Sequence, residues 1–415
     1  MSNKEPNHVL FLVHLNQAVK ALFSGSATTA TTTTDDEFQP VEEESDSIQF
    51  QGLKEPEGEE KSDRIQFQGL EEPEGWWTPY LNNSHLSLGP WPKPSKKRYW
   101  CTRSTLKHNE LPFIKNSTDV KTGILYMAIP KASSSTSQGV NVRIARRVGE
   151  RVFWKGHHDC THYNSAHYLN VKQFRFRDPK KSFIWSTIRE PWRRDLSEIY
   201  HFEVTRKNLS TDDTTITGKL AGMKSRQTRL LSFESRGASS LPEQDLVRVV
   251  QEDILSVYDF LGVVERMDES LAVLSLLLNV PATDVIVLNA KNSGGYDDHK
   301  NCYLIQKANV TPAVKNFVQS DQYLQRNPDL FLYYAANRKL DRTIEMLGLE
   351  AVQDRVKTIA KLHTLAKHYC QQMAIFPCSP TGKFQYEFSK HDCYSFDSGC
   401  GFKCVDAQLR QFDNE

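Results

Sequence analysis

Residues 123–149, GILYMAIPKASSSTSQGVNVRIARRVG, limit the fold more than any other part of this 415-residue chain. They open with a short apolar run at 124–129, which suits a buried strand of a parallel sheet. Pro130, Lys131 and Ala132 follow, then a block of small hydroxyl residues at 133–137. Val140, Ile144 and Val148 recur every fourth residue, which predicts the apolar face of a helix. Strand, small-residue loop and helix form the geometry that holds a phosphate. Backbone N–H groups point outward there, and the helix dipole favours an anion. Lys131 adds a full positive charge. The Walker A pattern is not met, because no Gly-Lys-Ser/Thr closes the loop and Lys131 precedes the hydroxyl block. Taken alone, the stretch also reads as a plain loop with a serine N-cap.

A second stretch, 182–202, reads SFIWSTIREPWRRDLSEIYHF. Residues 182–188 form another strand-like apolar run. Arg189 stands where that strand ends, and Pro191 suits the first turn of a helix. Ser197 follows Arg189 by eight residues, about two turns into the helix. An Arg at a strand end binds a phosphate bidentately, and a Ser hydroxyl on the next helix reaches the same group.

Together these stretches resemble the nucleotide-binding segments of the Golgi-type carbohydrate sulfotransferases, the group with the galactose-3-O- and heparan sulfate 2-O-sulfotransferases. The likeness covers residues 123–406, including FLGVVERMDESLAVLSLLL at 260–278 and the Cys-rich end. One departure is Glu190, where that family usually carries Asp or Asn. The resemblance implies an α/β fold of the P-loop-like, three-layer kind around a central parallel sheet. It implies 3′-phosphoadenosine-5′-phosphosulfate as sulfuryl donor, with no metal, and a glycan or other hydroxyl-bearing acceptor. Lys131, Ala132, Ser133, Ser134, Ser135 and Thr136 would surround the 5′-phosphosulfate, and Arg189 with Ser197 the 3′-phosphate. Lys131 would also sit on the bridging oxygen, where negative charge develops.

Sulfuryl transfer to an alcohol calls for a general base tuned near neutral pH, usually His. The segment HHDCTHYNSAH offers His157, His158, His162 and His167. In the family the base lies shortly before the Arg strand. His162 aligns best with it and His167 is the second choice. Glu203 is an outsider. Gln227 and Arg229, on an expected helix, read as contacts to the acceptor or the base, or as surface residues.

Residues 1–110 read as a largely disordered N-terminal region, 111–350 as the catalytic domain, and 351–415 as a helix with a disulfide-rich tail. Residues 27–34 are nearly all Ala and Thr, and an acidic run follows. Within it SDSIQFQGLKEPEG recurs as SDRIQFQGLEEPEG after 17 residues, which suits a stalk. Residues 8–23 are too short and too polar to span a membrane. They read as an amphipathic surface helix or as an incomplete N-terminus, so membrane anchoring stays open. The formal net charge of +1 gives no reason to expect nucleic acid.

Eight cysteines are present, five of them after residue 369. Cys393, Cys400 and Cys404 lack paired C-x-x-C spacing, so disulfides are expected rather than zinc. Sequons at Asn82, Asn116, Asn208 and Asn309 agree with a secretory or Golgi-lumenal setting. Further along, 208–222 reads as a polar loop, 242–256 as a helix and 260–264 as a strand. Asp268 is the expected N-cap of a helix whose Leu271, Leu274, Leu277 and Leu278 form a core stripe. Residues 291–298 read as a Gly-rich loop over the nucleotide or as a β-turn. Two helices are expected at 328–347 and 351–370, split at Gly348. Two other readings compete: a P-loop-type phosphotransferase, and a catalytically silent glycan-binding protein on the same fold.

Overall fold

Strand β1 (Lys121–Met127) runs into the helix α1 (Ser134–Val152) through a four-residue turn at 130–133. The computed structural model describes residues 78–80, 121–152, 162–164, 174, 177–223, 225–233, 248–288, 295–297, 302–324, 327–373, 378–379, 381–384 and 401–412. Three more strands join β1: β2 (His162–Asn164), β3 (Arg177–Ile188) and β4 (Phe260–Val263). Their order is β2-β1-β3-β4, and every pairing is parallel. The apolar run at 182–188 is buried throughout, as a central strand covered on both sides requires. A two-stranded antiparallel pair, β5 (Tyr296–Asp297) and β6 (Tyr303–Leu304), stands apart.

The rest is mostly helical. Pro191 opens α2 (Pro191–Glu198) at its first position, and the chain continues as a π-helical turn over Ile199–Val204. Next come α3 (Asp213–Ala221), α4 (Arg226–Leu231), α5 (Met267–Leu277), α6 (Pro312–Val318), α7 (Pro328–Leu347), α8 (Leu349–Cys370) and α9 (Phe402–Leu409). The split between α7 and α8 falls at Gly348, whose φ of +91° suits glycine.

Two expectations need correction. Residues 213–221 are helix, not loop: Asp212 accepts the Thr215 N–H at 2.8 Å, and Ile216 and Leu220, four residues apart, are both buried. Asp268 is not the N-cap of α5 but lies in its first turn, with Arg266 at the cap. Ser270 makes the strand-to-helix join instead, accepting the Val263 N–H at 2.9 Å. The core stripe of α5 is buried as expected.

One buried core joins β1, β3, β4, α1 and α5 to α8 and α9. The C-terminal segment therefore packs into the same core as the sheet. A buried ion pair, Arg143 to Asp406 at 2.8 Å, links α1 to α9. Cys370–Cys404 ties α8 to α9, and Cys302–Cys378 ties the β6 hairpin to a later bridge. Cys404 is thus spent on a disulfide and is no zinc ligand. Cys101, Cys160, Cys393 and Cys400 lie outside the described residues. Tyr80 also enters the core, with its N–H on Thr343 Oγ1 at 2.9 Å and its ring edge-on to Phe260. A second apolar cluster joins α2, the π-helical turn, α3, α6 and the start of α7. Among the described residues no helix is long and apolar enough to cross a membrane, and the 8–23 segment lies outside them.

Candidate functional site

Ligands of open parallel sheets collect at the carboxyl ends of the strands. Here β1 and β3 lie side by side, and Lys131 and Arg189 stand just past their ends.

The loop after β1 has an unusual backbone. Lys131 and Ser133 both adopt positive φ, +63° and +57°. Left-handed conformations cost a residue with a Cβ, and alternating handedness is the backbone pattern of an anion-binding nest; here the Ala132 N–H turns back to the Ile129 carbonyl at 3.3 Å. The loop's carbonyls are held from behind. Arg194 Nη1 donates to the Pro130 carbonyl at 3.4 Å, Arg189 Nη1 to Lys131 at 3.2 Å and Thr187 Oγ1 to Ala132 at 2.7 Å. Thr187 has one proton to give, so it accepts from Tyr126 OH at 3.1 Å and Ser137 Oγ at 3.2 Å. Burial pushes the Tyr126 phenol up to about 12, which keeps it a donor. The first bond of α1's own ladder runs from Ser137 N–H to the Ser133 carbonyl at 3.0 Å. Ser134, Ser135 and Thr136 therefore lie at the positive end of a 19-residue helix.

Arg189 is fixed from two other directions. Its N–H donates to Gln227 Oε1 at 2.9 Å, and Gln227 Nε2 donates to its carbonyl at 2.8 Å. The next amide, Glu190 N–H, donates to both oxygens of Glu265, at 3.1 and 3.2 Å. Glu265 Oε1 stands 3.9 Å from Arg189 Nε, and that Nε is buried without a hydrogen-bond partner. Burial draws the Arg189 guanidinium below its ordinary value, and the Glu265 charge works against that. Burial raises the Glu265 carboxyl above its ordinary value. Glu190 serves structure, with its carboxylate 2.5 Å from Arg193 Nε. Gln227 is not a surface residue: it is fully buried, and its side chain holds the Arg189 peptide.

Beneath both strand ends, Arg194 is buried among Asp195 and Glu198, bonded to each and to the loop. Ser197 lies on the same helix, half-buried. The π-helical turn brings Phe202 beside the site, with Lys131 Nζ 5.9 Å and the Arg206 guanidinium 4.7 Å from its ring centre. Such π turns concentrate at functional sites. Glu203 is held by Lys207 at 2.6 Å and Lys219 at 3.5 Å, and the Lys207 hydrogen bond draws its carboxyl below the ordinary range. That suits a surface ion pair and not a base tuned to neutral pH.

The histidine segment is described only at β2. His162 pairs with Ile124 and Asn164 with Tyr126, so the backbone of His162 is level with the middle of β1. His157, His158 and His167 lie outside the described residues, as do 291–294 of the Gly-rich stretch. No family model matches the chain, and no curated protein is similar to it.

Gln227 reads from sequence only as a polar contact or surface position and Glu265 is not marked at all, because they lie 38 and 75 residues from the groups they hold. Thr187 is one of three hydroxyl residues in the 182–188 run, with Ser182 and Ser186, and nothing in the sequence sets it apart from them.

Proposed function

We propose that this chain is a carbohydrate O-sulfotransferase using 3′-phosphoadenosine-5′-phosphosulfate. The observation that carries this reading is the meeting of two anion-favouring strand ends. Arg189 bonds the backbone of the Lys131 loop at 3.2 Å while keeping a buried Nε without a hydrogen-bond partner. Two anion-favouring strand ends side by side suit a donor with phosphates at both ends of its ribose. Lys131 with Ala132, Ser133, Ser134, Ser135 and Thr136 would hold the 5′-phosphosulfate, and Arg189 with Ser197 the 3′-phosphate. When bound, the donor supplies the sulfuryl group. Lys131 stabilises the negative charge that gathers on the bridging oxygen, and a histidine takes the proton of the acceptor hydroxyl. Phe202 beside Lys131 offers a flat apolar face for a sugar ring. The four-stranded parallel sheet supports the P-loop-like, three-layer reading. Two disulfides, and sequon residues Asn208 and Asn309 on the exposed surface, fit a secretory protein; the Golgi lumen is the compartment we propose.

Thermal shift tests the donor. Adenosine 3′,5′-bisphosphate should raise the melting temperature, and ATP with magnesium should not. The reverse result favours a phosphotransferase. A silent glycan-binding protein would transfer no sulfate to any glycan. For the base, His162→Ala should cut turnover roughly a hundredfold with nucleotide affinity intact. His167→Ala is the matched comparison. If His167→Ala is the more damaging, the roles swap, in keeping with a chain that passes the middle of β1 at His162.

A further inference from the structure

We infer that Gln227 is a positioning residue that sets the aim of Arg189 toward the nucleotide; the inference rests on the donor reading above. Strand β3 loses its neighbour at its end, because Ile188 opposite Val263 is the last pair of that ladder. The Arg189 N–H and carbonyl then need other partners. The Gln227 carboxamide meets both, at 2.9 and 2.8 Å, as a neighbouring strand would. A buried amide is costly unless bonded, and Gln227, fully buried, uses both of its polar atoms on this one residue.

Gln227 is itself held. Asp329 on α7 accepts the Gln227 N–H at 2.8 Å, the Thr228 N–H at 2.8 Å and the Thr228 hydroxyl at 2.7 Å. Ser225, ahead of α4, adopts a φ of +68° to turn the chain into that position. A continuous path runs from α7 through α4 to the Arg189 peptide. Glu265 completes it by holding Glu190 N–H. With the main chain fixed on both sides, only the side chain beyond Cβ is left to adjust, and its Nη1 already reaches the Lys131 carbonyl at 3.2 Å. That preorganises a bidentate grip on a phosphate.

The test is calorimetric titration of the full chain with adenosine 3′,5′-bisphosphate, alongside ligand-free melting. Gln227→Met, of similar size, removes both bonds and should weaken binding about tenfold or more. Thr343→Val removes a buried bond to Tyr80 elsewhere in the fold, so it should lower the melting temperature and leave affinity unchanged. A double-mutant cycle separates aim from stability: on an Arg189→Ala background, Gln227→Met should weaken binding no further. If Gln227→Met does not fold, Gln227→Glu decides, because it keeps the acceptor for the Arg189 N–H and loses the donor to its carbonyl. It should bind several-fold more weakly than wild type. Full affinity in the folded Gln227 variant, with Arg189→Ala impaired, overturns the inference and leaves the donor reading standing. Additive losses in the cycle overturn it too. If the wild type does not bind the bisphosphate, the donor reading falls and takes the inference with it.

Discussion

The Lys131 loop and the Arg189 strand end lie on neighbouring strands, yet they are built in opposite ways. In the loop, side chains hold carbonyls, and the backbone is strained at two positions. At Arg189, side chains hold amides as well as a carbonyl, and the next residue sits at an ordinary φ of −48°. A nest must turn its amides outward, so its carbonyls need internal donors. A charged side chain must instead be aimed, so its whole peptide is locked. The first device costs local strain; the second costs buried polar groups brought from distant chain segments.

The comparison breaks most visibly at Arg194. It is fully buried and binds Asp195, Glu198 and the Pro130 carbonyl. Arg194→Met should leave the buried Asp195 carboxylate without its cation and Glu198 with only Arg226, at 3.7 Å. Breaking such a buried pair costs about 3–5 kcal/mol. Urea unfolding should show that loss. A wild-type midpoint would mean that the loop needs no strut from behind. Arg189→Ala should behave differently: binding of adenosine 3′,5′-bisphosphate should weaken by about 2–3 kcal/mol while the melting temperature stays close to wild type. Unchanged affinity would remove Arg189 from the nucleotide site.

That contrast explains what the sequence disclosed. The loop, α1, the end of β3, the start of α2 at Pro191 and the α7–α8 split at Gly348 are all written locally, in apolar spacing and in Pro and Gly. Gln227 and Glu265 act across 38 and 75 residues, and no local pattern marks those roles. Helix α3 escaped because Thr and Asp dominate it, and its two buried residues, Ile216 and Leu220, are too few to set a period. The histidine alignment could give order along the chain but not register. The pairing of His162 with Ile124 exists only once β2 joins the sheet.

Glu265 sharpens the comparison through pH. Its carboxyl is raised by burial, and it faces Arg189, Glu190 and the Glu190 amide. An acid raised in the folded state contributes stability at low pH that is lost as pH climbs through the raised value. Glu265→Gln keeps an acceptor for the Glu190 N–H and has no such loss. The variant should therefore match wild type in acid and gain on it as pH rises past the ordinary glutamate range. Removing a negative charge beside Arg189 should also tighten bisphosphate binding at neutral pH. Parallel pH profiles for the two proteins would show that Glu265 is not held in this environment.

The smallest effect tests the strain itself. Ser133 carries a φ of +57° where glycine would be at ease. A left-handed residue with a Cβ costs about 1–2 kcal/mol, and glycine returns part of that by loosening the unfolded chain. Ser133→Gly should therefore stabilise the protein by up to about 1 kcal/mol, read as a higher urea midpoint. Affinity for the bisphosphate should fall, because the Ser133 hydroxyl leaves the proposed phosphate site. A matched substitution at the other strand end, Glu190→Gly, has no positive φ to relieve and should only destabilise. If Ser133→Gly also destabilises, the loop stores no strain at that residue, and the difference between the two strand ends reduces to which backbone groups their side chains bind.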